Sequence, residues 1–122
     1  VQMGISIGMA LEGFTTVTCF PRFDFLVLAF NQLINHADKI DYLTNNDFNS
    51  KIIIRTIVGA NKPLDAGPQH TQDHTEGLRK ILKNIRIIKL KKTNQIFNLY
   101  KKSFYDKKNK VFLFIEEGNK YL

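Results

Sequence analysis

A three-layer α/β/α fold built on an open, mostly parallel sheet is the architecture this sequence predicts. Strand-like and helical patterns alternate from end to end, and several strands are apolar at successive positions rather than at every second one. A length of 122 residues suffices for one core and is too short for two full-sized ones.

The elements follow in order. Gly4 to Leu11 reads as a helix that opens the chain in mid-pattern, as though a strand and loop preceded it; the chain is therefore expected to be a fragment, one domain over residues 1–122 truncated at its N-terminus. Thr15 to Phe20 is a β-branched and aromatic run of strand type. Leu26, Ala29, Phe30, Leu33, Ile34 and Ala37 fall on one face of a long helix. Lys51 to Val58 is the second strand, followed by a long polar loop, Gly59 to Asp73, broken by Pro63, Gly67 and Pro68. Leu78, Ile81, Leu82 and Ile85 mark the next helix, with Thr75 as its expected N-cap. Ile85 to Leu90 is the third strand. Thr93 is the expected N-cap of a last helix that buries Ile96, Phe97, Tyr100 and Phe104, and Val111 to Glu116 is the fourth strand.

Composition narrows the class. With 43% hydrophobic and 24% charged residues and a mean hydropathy of -0.20, the chain falls in the range of soluble globular proteins. Its longest apolar run, Phe25 to Phe30, is far short of the ~20 residues a membrane-spanning helix needs, so no membrane partner is expected. Cys19 is the only cysteine, which excludes an internal disulfide framework and leaves a structural zinc site little to build on. Residues 1–74 carry a net charge of -2 and residues 75–122 a net charge of +9. These lysines occupy the polar positions of amphipathic segments, the pattern of a solvated face, and nucleic acid is not an expected partner.

In open parallel sheets ligands collect at the carboxyl ends of the strands, which directs attention to the segments after Phe20 and after Val58. Three stretches there and in the first helix occur in a set order: Gly4-Ile5-Ser6-Ile7-Gly8-Met9-Ala10-Leu11-Glu12-Gly13; Phe23-Asp24-Phe25 with Gln32-Leu33-Ile34-Asn35; and Ile54-Arg55 with Gly67-Pro68-Gln69-His70-Thr71-Gln72. Together they resemble the pyrimidine-binding domain of thiamine-diphosphate enzymes, most nearly that of the beta subunit of 2-oxoacid (pyruvate and branched-chain) dehydrogenases, with a more distant likeness to transketolase. The likeness runs through nearly the whole chain, to Val111–Tyr121.

The resemblance implies an oxidoreductase or transferase subunit that decarboxylates a 2-oxoacid, or cleaves a ketose, and transfers the acyl or two-carbon unit. It implies thiamine diphosphate shared between chains, with Mg2+ and the diphosphate held by a partner subunit or domain, in an oligomer of the cytoplasm or, in a eukaryote, the mitochondrial matrix. Alone, the chain is expected to be inactive. Phe25 matches the aromatic that lines the aminopyrimidine ring; without the neighbouring motifs, Phe20, Phe23, Phe25 and Phe30 would read as core. His70 matches a catalytic loop histidine at the mouth of the active site, where an imidazole can hydrogen-bond a carboxylate or carbonyl and change charge near neutral pH. The family's glutamate at the pyrimidine nitrogen would fall about two residues before Val1, and Glu12, about three helical turns further on, is read as a helix-end carboxylate instead.

Pro21 and Arg22 depart from the dehydrogenases, where a glutamine or small polar residue is usual, and this leaves the substrate class open. Asp24 is read as a helix cap, and Arg55 as a scaffold residue at a strand's carboxyl end that ties the long loop to the sheet or pairs with an acid on a partner chain. His74 and His36 are read as without a site role. Gly4 and Gly8 leave one stripe of the first helix bare, in a region where this family meets a neighbouring subunit. The alternative to an enzyme part is a non-catalytic interaction module of the same fold, using its basic C-terminal surface.

Overall fold

A computed structural model describes residues 1–121. Four parallel strands, β1 (Thr16–Phe20), β2 (Ile52–Val58), β3 (Arg86–Leu90) and β4 (Val111–Glu117), form one sheet in the order β1-β2-β4-β3. Thr16 pairs with Ile52, Ile52 with Val111 and Arg86 with Phe112. The three-layer α/β/α expectation holds, with helices on both faces. No described helix is long and apolar enough to cross a membrane.

One face carries most of the core. Ile52, Ile54 and Val58 of β2 and Val111, Leu113 and Ile115 of β4 pack against Met3, Ile7 and Ala10 of α1 (Gln2–Leu11) and Leu78 of α4 (Thr75–Ile81). Between α1 and α4 runs a continuous helical stretch over 23–43, opening as α2 (Phe23–Leu26) and closing as α3 (Ile40–Leu43). Its inward residues Leu26, Ala29, Leu33 and Ala37 are those the periodicity marks. Its hydrogen-bond spacing widens over Gln32–His36 and tightens over Val27–Ala29 and Ala37–Lys39.

α1 ends as its sequence allows. Gly13 adopts φ +94°, and the N–H groups of Gly13 and Phe14 donate to Ala10 and Met9. This is a Schellman closure, for which glycine's freedom at positive φ is suited.

The second face is covered by α5 (Ile96–Tyr105), whose Ile96, Leu99 and Tyr100 lie over Phe112, Phe114 and Leu90. Tyr100 stacks on Phe114 with ring centroids 3.9 Å apart. Phe97 and Phe104, expected on the buried side, are exposed. The inward stripe runs instead through Leu99 and Ser103, one position round the helix, because α5 sits toward β4 and β3 rather than over the middle of the sheet.

Both expected threonine caps are corrected. Thr75 is the first helical residue and His74 stands at the N-cap without a side-chain capping bond, while Asp73 just before it accepts at Oδ1 from the Thr75 N–H (2.9 Å) and from its hydroxyl. Thr93 opens a 3-10 turn without a side-chain capping bond. α4 stops at Ile81, an exposed residue, and Leu82 and Ile85 reach the core from the connection to β3.

That connection is held by Asp38. Its Oδ1 accepts from the backbone N–H groups of Lys83 (2.8 Å), Asn84 (2.7 Å) and Ile85 (3.2 Å), and its other oxygen pairs with Lys39. Burial pushes this carboxyl up, but Lys39 and the three N–H groups outweigh it and hold it below its ordinary value.

Candidate functional site

The carboxyl ends of β1 and β2 lie side by side, Phe20 opposite Thr56, so the segments that follow them are forced together. After β1 the chain turns at Pro21 and Arg22 into α2. Phe23 and Leu26, three apart, point into the core. Phe25 therefore faces outward and remains 40% exposed at the rim of the sheet. Phe20 and Phe23 are core residues, and Phe25 is not.

Beside Phe25 lies a cavity of about 270 Å³, walled by Met3, Phe20, Pro21, Phe25, Leu28 and Ala29, with the carboxamides of Gln2 and Gln32 at its edge. The Gln2 amide nitrogen donates to Thr18 Oγ1 (3.0 Å) and to the Cys19 carbonyl (2.8 Å), which fixes the start of α1 over the end of β1. No Asp or Glu lines this cavity among the described residues.

The long loop reaches the same place from β2. His70 closes a turn on Gly67, its N–H donating to the Gly67 carbonyl at 3.1 Å, and Gly67 itself holds φ +77°. The His70 ring stands 5.5 Å from the Phe25 ring at 59°. Its Nδ1 is buried without a hydrogen-bond partner among the described residues. The structure thus brings the two residues singled out in the sequence, Phe25 and His70, into contact.

Residues not assigned a site role in the sequence hold them there. Arg22 Nη1 donates to the His70 carbonyl at 2.8 Å, and Gln72 Nε2 donates to Asp24 Oδ1 at 3.0 Å. Asp24 makes no capping bond to α2, so its expected role is corrected: it clips the loop to the helix. Arg22 stood out in the sequence only as a departure from the family, and that departure was the available signal.

The remaining candidates separate from the site. His74 immediately precedes α4 and packs its ring edge-on against Phe23 at 5.5 Å, and His36 is exposed. Gly4 and Gly8 face open space within the chain. Arg55 is mid-strand rather than terminal, and its guanidinium holds a carboxylate of β4 instead of the long loop. It grips the buried Glu116 of β4 through Nε (2.7 Å) and Nη2 (2.6 Å), while Tyr100 donates its hydroxyl to the same carboxylate at 2.9 Å. Burial, with the carboxylate's charge, drives the Tyr100 hydroxyl well above its usual range. This is a scaffold cluster on the opposite face of the sheet.

Parallel α/β domains gather ligands at the carboxyl ends of their strands, and the aromatic-lined cavity lies at that edge. No family model matches the chain. Over 70 residues it is 36% identical to pyruvate dehydrogenase E1 component subunit beta of Gracilaria tenuistipitata var. liui, a match covering 57% of this chain and 21% of that protein. Over 113 residues it is 27% identical to the protein of the same name from Cyanidium caldarium, covering 90% and 33%. It is also 31% identical over 81 residues to 2-oxoisovalerate dehydrogenase subunit beta of Bacillus subtilis (strain 168), covering 66% and 23%. The chain is similar to the beta subunits of 2-oxoacid dehydrogenases, as the ordered motifs imply, and the matches span between 21% and 33% of those relatives' length.

Proposed function

We propose that this chain holds the aminopyrimidine half of thiamine diphosphate in an enzyme of the 2-oxoacid dehydrogenase beta-subunit kind. The observation that carries the reading is the meeting of Phe25 and His70 beside a cavity with apolar walls and a carboxamide edge. Those residues fit a flat heteroaromatic ring: Phe25 offers a stacking face, and Gln32, with the carboxamide oxygen of Gln2, offers hydrogen-bonding groups for the ring's edge. The diphosphate and its Mg2+ have no counterpart in this cavity and fall to a partner subunit or domain.

When bound, the cofactor supplies the carbanion chemistry that releases carbon dioxide from a 2-oxoacid or cleaves a ketose. The chain's own part is narrower. Phe25 orients the ring, Arg22 and Gln72 hold the loop, and His70 hydrogen-bonds a substrate carboxylate or carbonyl, or the acceptor of the acyl unit, at the entrance. The carboxylate that the resemblance places at the pyrimidine nitrogen is not among the described residues lining the cavity. The reading places the working enzyme in an oligomer, in the cytoplasm or the mitochondrial matrix.

Calorimetry tests it. Thiamine diphosphate with magnesium is expected to bind the complex of the full-length protein with its diphosphate-binding partner, and not the isolated chain. A functional complex that ignores the cofactor, or tight binding by the chain alone, refutes the division of labour.

A further inference from the structure

Arg22 carries a charge at the entrance with most of its hydrogen-bonding capacity unspent. It follows Pro21, which lines the cavity, and its Nη1 donates to the His70 carbonyl at 2.8 Å. That is the guanidinium's only bond among the described residues, and none of their carboxylates forms an ion pair with it. Arg55 and Arg79, by contrast, are paired with Glu116 and Glu76.

The acids nearby are engaged elsewhere. Asp24, two residues on, accepts from Gln72; Asp73 is taken up by Lys89 and Thr75; and no Asp or Glu among the described residues lines the cavity. A half-buried guanidinium with free N–H groups matches a planar anion, which it can hold by two parallel bonds. Phe25 links it to the cavity, since the Phe25 ring lines that cavity and meets the imidazole of His70, the residue to which Arg22 is tied.

We propose that Arg22 binds the carboxylate of a 2-oxoacid substrate, leaving His70 for the carbonyl or the acyl acceptor and favouring 2-oxoacids over ketoses, an assignment that rests on reading the cavity as the aminopyrimidine site. Decarboxylation takes the negative charge off that carboxylate, so a grip on it is strongest before the bond breaks. Arg22 therefore serves capture of the substrate, and its loss should appear in KM with kcat retained. A role confined to holding the loop predicts the reverse, because a displaced His70 lowers kcat. Gln72 on Asp24 and the turn of His70 on Gly67 still position His70 when the Arg22 bond is lost.

The test uses the complex of the full-length protein with its diphosphate-binding partner. Calorimetry with thiamine diphosphate and magnesium comes first: a complex that ignores the cofactor defeats the reading of the cavity and this assignment with it. In a complex that binds the cofactor, steady-state kinetics with pyruvate and 2-oxoisovalerate are expected to show KM raised about tenfold or more in Arg22→Gln, with kcat and cofactor affinity retained. Arg22→Lys should recover most of the loss. Added salt should raise the wild-type KM and leave that of Arg22→Gln nearly unmoved. An Arg22→Gln variant that keeps its KM, or loses kcat at an unchanged KM, overturns the assignment while the cofactor site stands. Turnover of xylulose 5-phosphate in place of both 2-oxoacids does the same.

Discussion

The imidazole of His70 leans on the ring of Phe25, 5.5 Å between centroids and 59° between planes, although one side chain belongs to the long loop and the other to the first turn of α2. The contact gives the two residues adjacent but distinct positions, and in the proposed enzyme distinct steps. Phe25→Ala removes a stacking face and is expected to weaken cofactor binding by about 0.5–1.5 kcal/mol beyond the lost burial, roughly two- to twelvefold. His70→Ala should leave cofactor affinity nearly intact and lower turnover. Separate titrations of cofactor and substrate on the reconstituted enzyme check this, and a His70→Ala variant that loses affinity while keeping turnover at saturation contradicts the assignment.

Arg22 is expected to act on the loop and not on the fold. Arg22→Ala removes the bond to the His70 carbonyl, costing about 1 kcal/mol, while Arg22→Lys should restore part of it. Cleavage before the exposed Asp65 by an aspartate-specific endoproteinase, followed by mass spectrometry, should accelerate in the alanine variant while the melting temperature moves little. An unchanged cleavage rate would show that the loop holds its place without Arg22.

Acid should loosen the connection between α4 and β3. Asp38 is held below its ordinary value in the folded chain, and so is Asp73, where burial is outweighed by Lys89 and Thr75. Asp106 is lowered to about 2, chiefly by the Asn109 N–H and side-chain amide. Carboxylates with depressed folded values contribute stability that is fully present above the unfolded value of about 3.9 and lost as pH falls through the folded one. Denaturant titrations should therefore show stability flat above about pH 5 and falling toward pH 2. Asp38→Ala, which strands three N–H groups, should cost about 2–4 kcal/mol at neutral pH and flatten that acid slope.

Gly118 has no room for a methyl group. A Cβ there would stand 2.7 Å from Ala60 Cβ and 3.2 Å from Ile57 Cγ2, so Gly118→Ala is expected to cost about 1–3 kcal/mol by overpacking. Because the obstructing Ala60 belongs to the start of the long loop, Ala60→Gly in the same chain should recover part of the loss, and a double-mutant cycle measures the coupling.

The strands were legible because central parallel strands, buried on both faces, read as unbroken apolar runs such as Ile52 to Ile54 and Val111 to Ile115. α5 was harder. Ile96, Leu99 and Tyr100 form one apolar stripe and Phe97, Tyr100 and Phe104 another, and periodicity alone does not say which of the two faces the sheet. The start of α4 lies one residue earlier than Thr75's capping preference implies, because Asp73 takes up the Thr75 N–H and hydroxyl and draws Thr75 into the first turn, which only the folded loop decides. At the site, Phe25 and His70 came from ordered motifs. The clips by Arg22 and Gln72 depend on where the long loop lands, which local pattern does not encode.

The strand order has a consequence for the chain as a physical thread. β2 and β4 are neighbours at the centre of the sheet, yet α4, β3 and α5 lie between them in sequence, so the seam joining β1-β2 to β4-β3 is made from two separate halves. Each half would by itself offer the bare edge of an apolar strand, and two chains could trade halves through the long loop as easily as one chain closes on itself. Arg22 and Asp24 pin that loop back onto α2, within the first half of its own chain.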